Sequence, residues 1–157
     1  MNQRLDIPRN FDLPIRFAIA LRVYSGKITP SEVSERLGLD ATSAVGRESM
    51  PEPLRAHNFR VGEQNSWFLE SEVGVESRDP RQHIDWFLEQ ISVLQPGLAV
   101  LLQEKDVRAD ISIIIWSDNG GAHLYLAPAD INGFFALGLP VAISFADYPD
   151  RQPSTDF

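Results

Sequence analysis

A strict alternation of side-chain types over residues 15–24 is the feature that most constrains this chain. Large apolar residues occupy the odd positions, beginning with Ile15 and Phe17, whereas Arg16, Ala18 and other small, charged or aromatic residues occupy the even positions. A period of two places the two sets on opposite faces of a β-strand. The segment therefore predicts a strand with one face in a core and a second face of different chemical character.

The first predicted helix is marked by the residues at its two ends. Thr29 is placed to cap the helix, Pro30 suits its first position, and Glu32 can complete a capping box. Val33 and Leu37 lie one turn apart on the face that would be buried, and the next residue is a glycine that can end the helix.

The second predicted helix begins after Asp79 and carries the clearest amphipathic pattern in the chain. Its apolar stripe consists of Ile84, Phe87, Leu88, Ile91 and Leu94. We expect Pro96-Gly97 to break this helix and a short separate helix to follow.

Between the two helices, residues 39–53 predict a loop, because they contain Gly46 and two prolines. A loop that continued to Ser66 would be improbably long. We therefore predict a hairpin with strands at 55–61 and 66–71.

The last third of the chain predicts three strands and a helix. A strand at 111–117 is followed by a turn signal at 118–121, which favours a hairpin with a returning strand at 122–126. A short helix begins at Pro128, and alternating apolar residues predict a final strand at 141–146.

The resulting order, β-α-β-β-α-β-β-α-β, predicts an α+β two-layer sandwich with a mixed, mostly antiparallel sheet and helices on one face. The first six elements have the ferredoxin-like order, extended by a β-α-β tail. We expect a flexible arm at 1–14, a single domain at 15–146 and a flexible tail at 147–157.

Charge and cysteine content exclude several classes of partner and site. The formal net charge of -8 disfavours nucleic acid and anionic membranes, and it is compatible with a basic protein partner. The absence of cysteine excludes disulfides and thiolate metal sites and fits a reducing cytoplasm. The first residues do not have the pattern of a secretory signal, so we expect a cytoplasmic protein.

The order of these signals resembles a family of small bacterial proteins, domain of unknown function 4279. The resemblance covers about residues 15–146. It is carried by Tyr24-Ser25-Gly26, the helix from Thr29 to Val33, Leu37-Gly38-Leu39, Trp67 to Ser71, His83 to Leu88 and Leu137 to Pro140. It implies a bacterial cytosolic origin, with no activity and no catalytic residue to carry over.

The sequence contains no nucleophile elbow, phosphate-binding loop or dinucleotide fingerprint. Its three histidines, His57, His83 and His123, have no metal-ligand spacing. We therefore predict no catalytic residue, no cofactor and no metal.

The candidate site is the strand face opposite the aliphatic one. Its side chains mix aromatic residues and two arginines with small residues on an acidic protein, which is typical of a binding surface. The candidate binding residues are Arg16, Arg22, Tyr24, Trp116, His123, Tyr125 and Ser144.

Two functional hypotheses follow. The first is a non-catalytic binding domain that uses this face, and one form of it is an immunity-like protein that neutralises a basic partner. The alternative is a small-molecule-binding domain or a hydrolase-like enzyme with a pocket around Trp116, His123 and Tyr125. A deep pocket with convergent polar groups would favour the second hypothesis, and a flat exposed apolar patch would favour the first.

Overall fold

The computed structural model describes residues 13–47, 64–117 and 123–147. The strands are β1 (Arg16–Ser25), β2 (Ser43–Val45), β3 (Asn65–Glu70), β4 (Val107–Ser117) and β5 (Val141–Asp147). The helices are α1 (Pro30–Leu37), α2 (Ser71–Gly74), α3 (Pro80–Leu101) and α4 (Pro128–Phe135). The predicted arm at 1–14 and tail at 147–157 lie almost entirely outside the described residues.

The five described strands form a mixed sheet in the order β2-β3-β1-β4-β5. β1 is antiparallel to both of its neighbours, and β2 is antiparallel to β3. β5 lies beyond β4 and is parallel to it. The first four strands, with α1 and α3, therefore have the ferredoxin-like arrangement, which α4 and β5 extend. The predicted α+β fold class is confirmed.

The alternation in β1 produces the two faces that the sequence predicts. Its odd-numbered side chains, from Phe17 to Val23, are at most 1% exposed. Phe17 pairs with Ile115 of β4, and Leu21 pairs with Ile111 of β4 and Leu69 of β3, so the buried face is continuous across three strands. Each such side chain contributes about 1.5–3 kcal/mol through burial.

The helices supply the other half of this core. The buried residues of the helices that join the core cluster are Val33, Leu37, Ile84, Phe87, Ile91, Leu94, Leu98, Leu101 and Phe134. The helical layer therefore covers the odd-numbered face of β1. The even-numbered face of β1 lies on the side of the sheet away from the helices that the structure describes.

Helix α1 begins and ends as its sequence predicts. The Thr29 hydroxyl accepts a hydrogen bond from the backbone N–H of Glu32, and the Glu32 carboxylate accepts one from the backbone N–H of Thr29. Gly38 ends the helix in the left-handed region, at a φ of 70°, where a side chain would be strained.

The predicted break of α3 at Pro96-Gly97 is wrong, because the helix runs without interruption to Leu101. Pro96 is exposed, whereas Leu94, Leu98 and Leu101 are at most 1% exposed on the opposite side. Burial of these leucines offsets the hydrogen bond that proline cannot donate. Gly97 is needed for a close contact, since a Cβ there would lie 2.3 Å from the Arg36 carbonyl oxygen of α1.

The region between α1 and β3 also differs from expectation. Residues 43–45, predicted as part of a loop, form the short strand β2 beside β3. Three residues are too few for an alternation pattern to be recognised. The predicted strand at 55–61 lies outside the described residues, whereas the strand predicted at 66–71 is confirmed as β3, one residue earlier.

The predicted returning strand at 122–126 is wrong over its described part, because residues 123–126 form no strand. One edge of β4 pairs with β1, and β5 occupies the other edge in parallel. Neither edge of β4 is left for a hairpin partner. The predicted turn at 118–121 lies outside the described residues.

Candidate functional site

The candidate site is the even-numbered face of β1 together with the residues that flank it, called here the open face. Its β1 residues are Arg16, Ala18, Ala20, Arg22 and Tyr24, and their partners on β4 are Trp116, Ile114, Ser112, Asp110 and Arg108. β3 adds Phe68 and Glu70 on one side, and β5 adds Ala142, Ser144 and Ala146 on the other. The register alone thus brings together residues that are distant in sequence.

The centre of the open face is a shallow concavity with a floor of small side chains. It encloses about 100 Å³. Its lining consists of Arg16, Ala18, Ala20, Glu70, Glu72, Ser112, Ile114 and Trp116. Because alanine and serine stand where longer side chains would fill the space, a protruding group of a partner could reach the sheet itself.

One end of the concavity is formed by Arg16, which lies across the sheet from Trp116. The guanidinium carbon is 4.3 Å from the centroid of the indole ring, which is a cation–π contact. Glu72 of α2 accepts two hydrogen bonds from the same guanidinium, both at 2.5 Å. The hydrogen bond from Arg16 to Glu72 raises the pKa of Arg16 above its already high ordinary value.

A second arginine of the open face, Arg22, lies further along β1, beyond the lining of the concavity. Arg22 donates hydrogen bonds of 2.6 and 2.9 Å to the two carboxylate oxygens of Asp110, its cross-strand partner. Tyr24 lies edge-on to Phe68, with the ring centroids 6.0 Å apart, and burial raises the pKa of the Tyr24 hydroxyl. Arg16 and Arg22 are six residues apart on one strand, so the two arginines are separated by about 20 Å.

The charges of the open face balance, although the whole chain carries a net charge of -8. Among the described residues, the arginines are Arg16, Arg22 and Arg108, and the carboxylates are Glu70, Glu72 and Asp110. The pairing holds the guanidinium planes of Arg16 and Arg22 in fixed positions. The face therefore presents pre-positioned polar groups rather than a patch of a single sign.

The structure brings five of the seven candidate residues onto the open face. Arg16, Arg22, Tyr24 and Trp116 lie on β1 and β4, and Ser144 lies on the neighbouring β5, opposite Ile114.

His123 and Tyr125 do not join the strands of this face, because the strand that was expected to carry them does not form. Their rings stack with centroids 6.4 Å apart, in the segment that leads into α4. Neither residue lines the concavity around Trp116.

Sequence reasoning missed the carboxylates that orient the two arginines. Asp110 lies in the part of β4 that precedes the predicted strand, and Glu72 follows β3 in the unpredicted helix α2. The charge of each residue is evident in the sequence, but only the strand register places it beside an arginine.

A buried serine–histidine pair lies near Arg16 and resembles a nucleophile with its base. The Ser71 Oγ is 2.7 Å from His83 Nδ1, and His83 Nε2 is 2.6 Å from the carbonyl oxygen of Ser77. A carbonyl only accepts, so Nε2 carries the proton and Nδ1 accepts from the Ser71 hydroxyl. The Ser71 Oγ also accepts from the backbone N–H of Ile19, at 2.9 Å.

This pair has a structural role. Ser71 is 0% exposed and His83 is 1% exposed, so the hydroxyl is closed to solvent in this structure. The hydrogen bonds of the two side chains join α2 to β1, α2 to α3, and α3 to the loop between these two helices. The hollow beside them, of about 410 Å³, is wide and open.

Within the described ranges, no cluster of three or more histidine, aspartate or glutamate side chains is arranged to hold a metal ion. His57 lies outside those ranges. None of the helices of the described residues is both long and apolar enough to span a bilayer.

The fold and the open face define an α+β two-layer domain in which the described helices cover one surface of the sheet. The chain belongs to the family described as Domain of unknown function (DUF4279), whose model matches residues 15–148. No curated protein and no solved structure matches the chain.

Proposed function

We propose that this chain is a non-catalytic binding domain that engages a protein partner through the open face. The observation that carries the proposal is Arg16, which is stacked on Trp116 and fixed by Glu72 at the rim of a floor of alanine and serine. Tryptophan, tyrosine and arginine are the residues that most often dominate binding energy at interfaces. Side chains that are already fixed lose little conformational entropy when a partner binds.

We propose that the partner is basic and that the protein acts in the bacterial cytoplasm, as an immunity-like protein would. The net charge of -8 would speed the approach of a basic partner. The open face, whose charges balance, would then supply short-range contacts and specificity. The absence of cysteine and the bacterial character of the resemblance support this location.

The alternative, a small-molecule pocket or hydrolase-like site around Trp116, His123 and Tyr125, is less well supported. The concavity beside Trp116 encloses about 100 Å³. Pockets for drug-sized ligands usually enclose about 300–1,000 Å³. The stacked pair of His123 and Tyr125 also lies apart from the lining of that concavity.

The test compares three forms of the protein as bait in the native host: wild type, Trp116→Ala and the control Val93→Ala. Val93 is 58% exposed on α3 and lies on the helical layer. We expect wild type and the control to retain the same partner, and we expect Trp116→Ala to lose at least about 2 kcal/mol of binding free energy by calorimetry. A basic partner would also associate more slowly as salt is raised.

Equal binding by all three forms would show that the open face is not the site. A small ligand that binds wild type and is lost together with a hydrolytic activity in the Tyr125→Ala variant would favour the alternative.

A further inference from the structure

The second unusual surface is strand β5, which ends the sheet in the described part of the chain. Val141, Ile143 and Phe145 are in register with the buried β4 residues Ile111, Ile113 and Ile115. They are nevertheless 38%, 45% and 63% exposed. No charged residue occurs from position 141 to position 146. Edge strands of monomeric proteins usually carry charges, prolines or bulges that prevent pairing with another chain.

The backbone of β5 shows which of its groups face outward. The N–H of Ile111 donates to the carbonyl oxygen of Pro140 at 2.9 Å, so Pro140 is directed toward β4. Successive residues of a strand direct their backbone groups to opposite edges. Ala142 and Ser144 therefore also face β4, and the N–H and C=O groups of Val141, Ile143 and Phe145 face the free side. The outward backbone groups belong to the same residues as the exposed apolar side chains.

We propose that β5 pairs antiparallel with β5 of a second copy of this chain, about a two-fold axis at Ile143. Ile143 would exchange both of its backbone hydrogen bonds with its own counterpart, and Val141 would lie opposite the Phe145 of the other copy. All six apolar side chains would then meet on the helical side of the joined sheet. The pairing satisfies the outward backbone groups and covers the apolar side chains in one step.

A second copy fits this edge better than an unrelated strand because the edge is self-complementary. A two-fold interface places the same patch against itself, so the uncharged residues 141–145 of one copy meet the same residues of the other, and Asp147 at the end of β5 lies beyond this pairing. The axis runs perpendicular to the sheet, so the open faces of both copies point the same way on a joined sheet of ten strands. The proposal does not depend on the proposed function, since the open face takes no part in the contact.

The size of the patch predicts the strength of association. The exposed parts of three apolar side chains amount to a few hundred Å² per copy, against about 800 Å² per partner in a standard interface. A pair of this size belongs among weak complexes, and the net charge of -8 on each copy opposes it further. We therefore expect a dimer that forms in the micromolar range and strengthens as salt is raised.

Sedimentation of the full chain over a range of concentrations tests the proposal. We expect the apparent mass to rise toward twice 17.6 kDa by about 100 µM. In Ile143→Pro the outward N–H is lost and the groups that face β4 remain, so the variant should fold and associate at least about tenfold more weakly. Ile143→Lys should do the same, whereas Val100→Lys, at a 65% exposed site on α3, should associate like wild type.

The absence of cysteine allows a direct test of the two-fold axis. Ile143→Cys should give a covalent dimer with a short bifunctional thiol reagent, and Val100→Cys should not.

Two outcomes would overturn the proposal. One is a monomer up to about 100 µM. The other is a dimer that both Ile143 variants leave unchanged. If the protein is a monomer, protection of the Ile143 amide from hydrogen exchange would show that a segment of the same chain covers the edge.

Discussion

The two faces of strand β1 carry side chains of different kinds in different surroundings. On the odd-numbered face, Phe17, Ile19 and Leu21 are at most 1% exposed beneath the helices. On the even-numbered face, Arg16 and Arg22 are held by carboxylates on either side of two alanines. Hydrophobic burial fully explains why the odd-numbered positions hold large apolar residues. The second face has paired charged groups that are one-third to one-half exposed, which hydrophobic burial does not explain.

Two arginine–aspartate pairs make this contrast quantitative. Arg81 and Asp130 join α3 to α4 within the helical layer, and the Asp130 side chain is 7% exposed. Arg22 and Asp110 lie on the open face, where their side chains are 33% and 30% exposed. Both pairs have two hydrogen bonds of good geometry. Since water screens the second pair more strongly, only the first pair should contribute substantially to stability.

The largest expected effect lies in the core of the helical layer. Phe87 is 0% exposed, and its ring lies 5.9 Å from that of Phe134. Phe87→Ala should lower the free energy of unfolding by about 3–5 kcal/mol, because the cavity cannot close fully. Urea unfolding of this variant beside Val93→Ala, an exposed site on the same helix, measures the difference. A loss below about 1 kcal/mol would mean that the helical layer is not the main core.

A smaller effect, with a distinct pH dependence, is expected at Asp130. The hydrogen bonds from Arg81 lower the pKa of the Asp130 carboxyl, and a hydrogen bond from the backbone N–H of Ala127 lowers it further. The folded-state pKa therefore lies below the ordinary value of about 3.9. The charged carboxylate stabilises the fold fully above that value, and this contribution is lost as the pH falls through the folded-state pKa.

Asp130→Asn keeps the shape of the side chain and removes its charge. We expect it to cost about 1–3 kcal/mol at neutral pH, with the difference from wild type shrinking as the pH falls below the ordinary carboxyl pKa of about 3.9 and through the lower folded-state pKa. Unfolding free energies of both proteins across this range provide the test. A difference that stayed constant at every pH would show that the charge of Asp130 is not the cause.

The sequence predicted the elements whose signals are local. The caps of α1 and the alternation of β1 each lie within about ten neighbouring residues, and the structure has both as expected. The errors occur where contacts between residues that are distant in sequence determine the local structure. Pro96 stays in α3 because of leucines buried against other elements, and residues 123–126 form no strand because β5 occupies the edge of β4.

The same distinction between local and distant signals applies to the residues of the candidate site. The two arginines and Trp116 could be assigned to one face from alternation alone, since alternation is a property of each strand. Their carboxylate partners could not be assigned, because the pairing of Arg22 with Asp110 depends on the register between strands 88 positions apart in sequence. His123 and Tyr125 were assigned to the face through a strand that does not form.

The smallest expected effect is the one that separates the two faces most clearly. Arg22 and Asp110 are each about one-third exposed, and exposed ion pairs contribute about 0–1 kcal/mol after desolvation and side-chain ordering are offset. In a double-mutant cycle of Arg22→Ala and Asp110→Ala, we expect a coupling energy below about 1 kcal/mol and variants that melt close to wild type. A coupling energy above about 2 kcal/mol, or unfolding of either single variant, would make the open face part of the structural framework. A small coupling energy, together with loss of partner binding in Arg22→Ala, would leave recognition as the reason why the pair is held in place, because stability would not account for it.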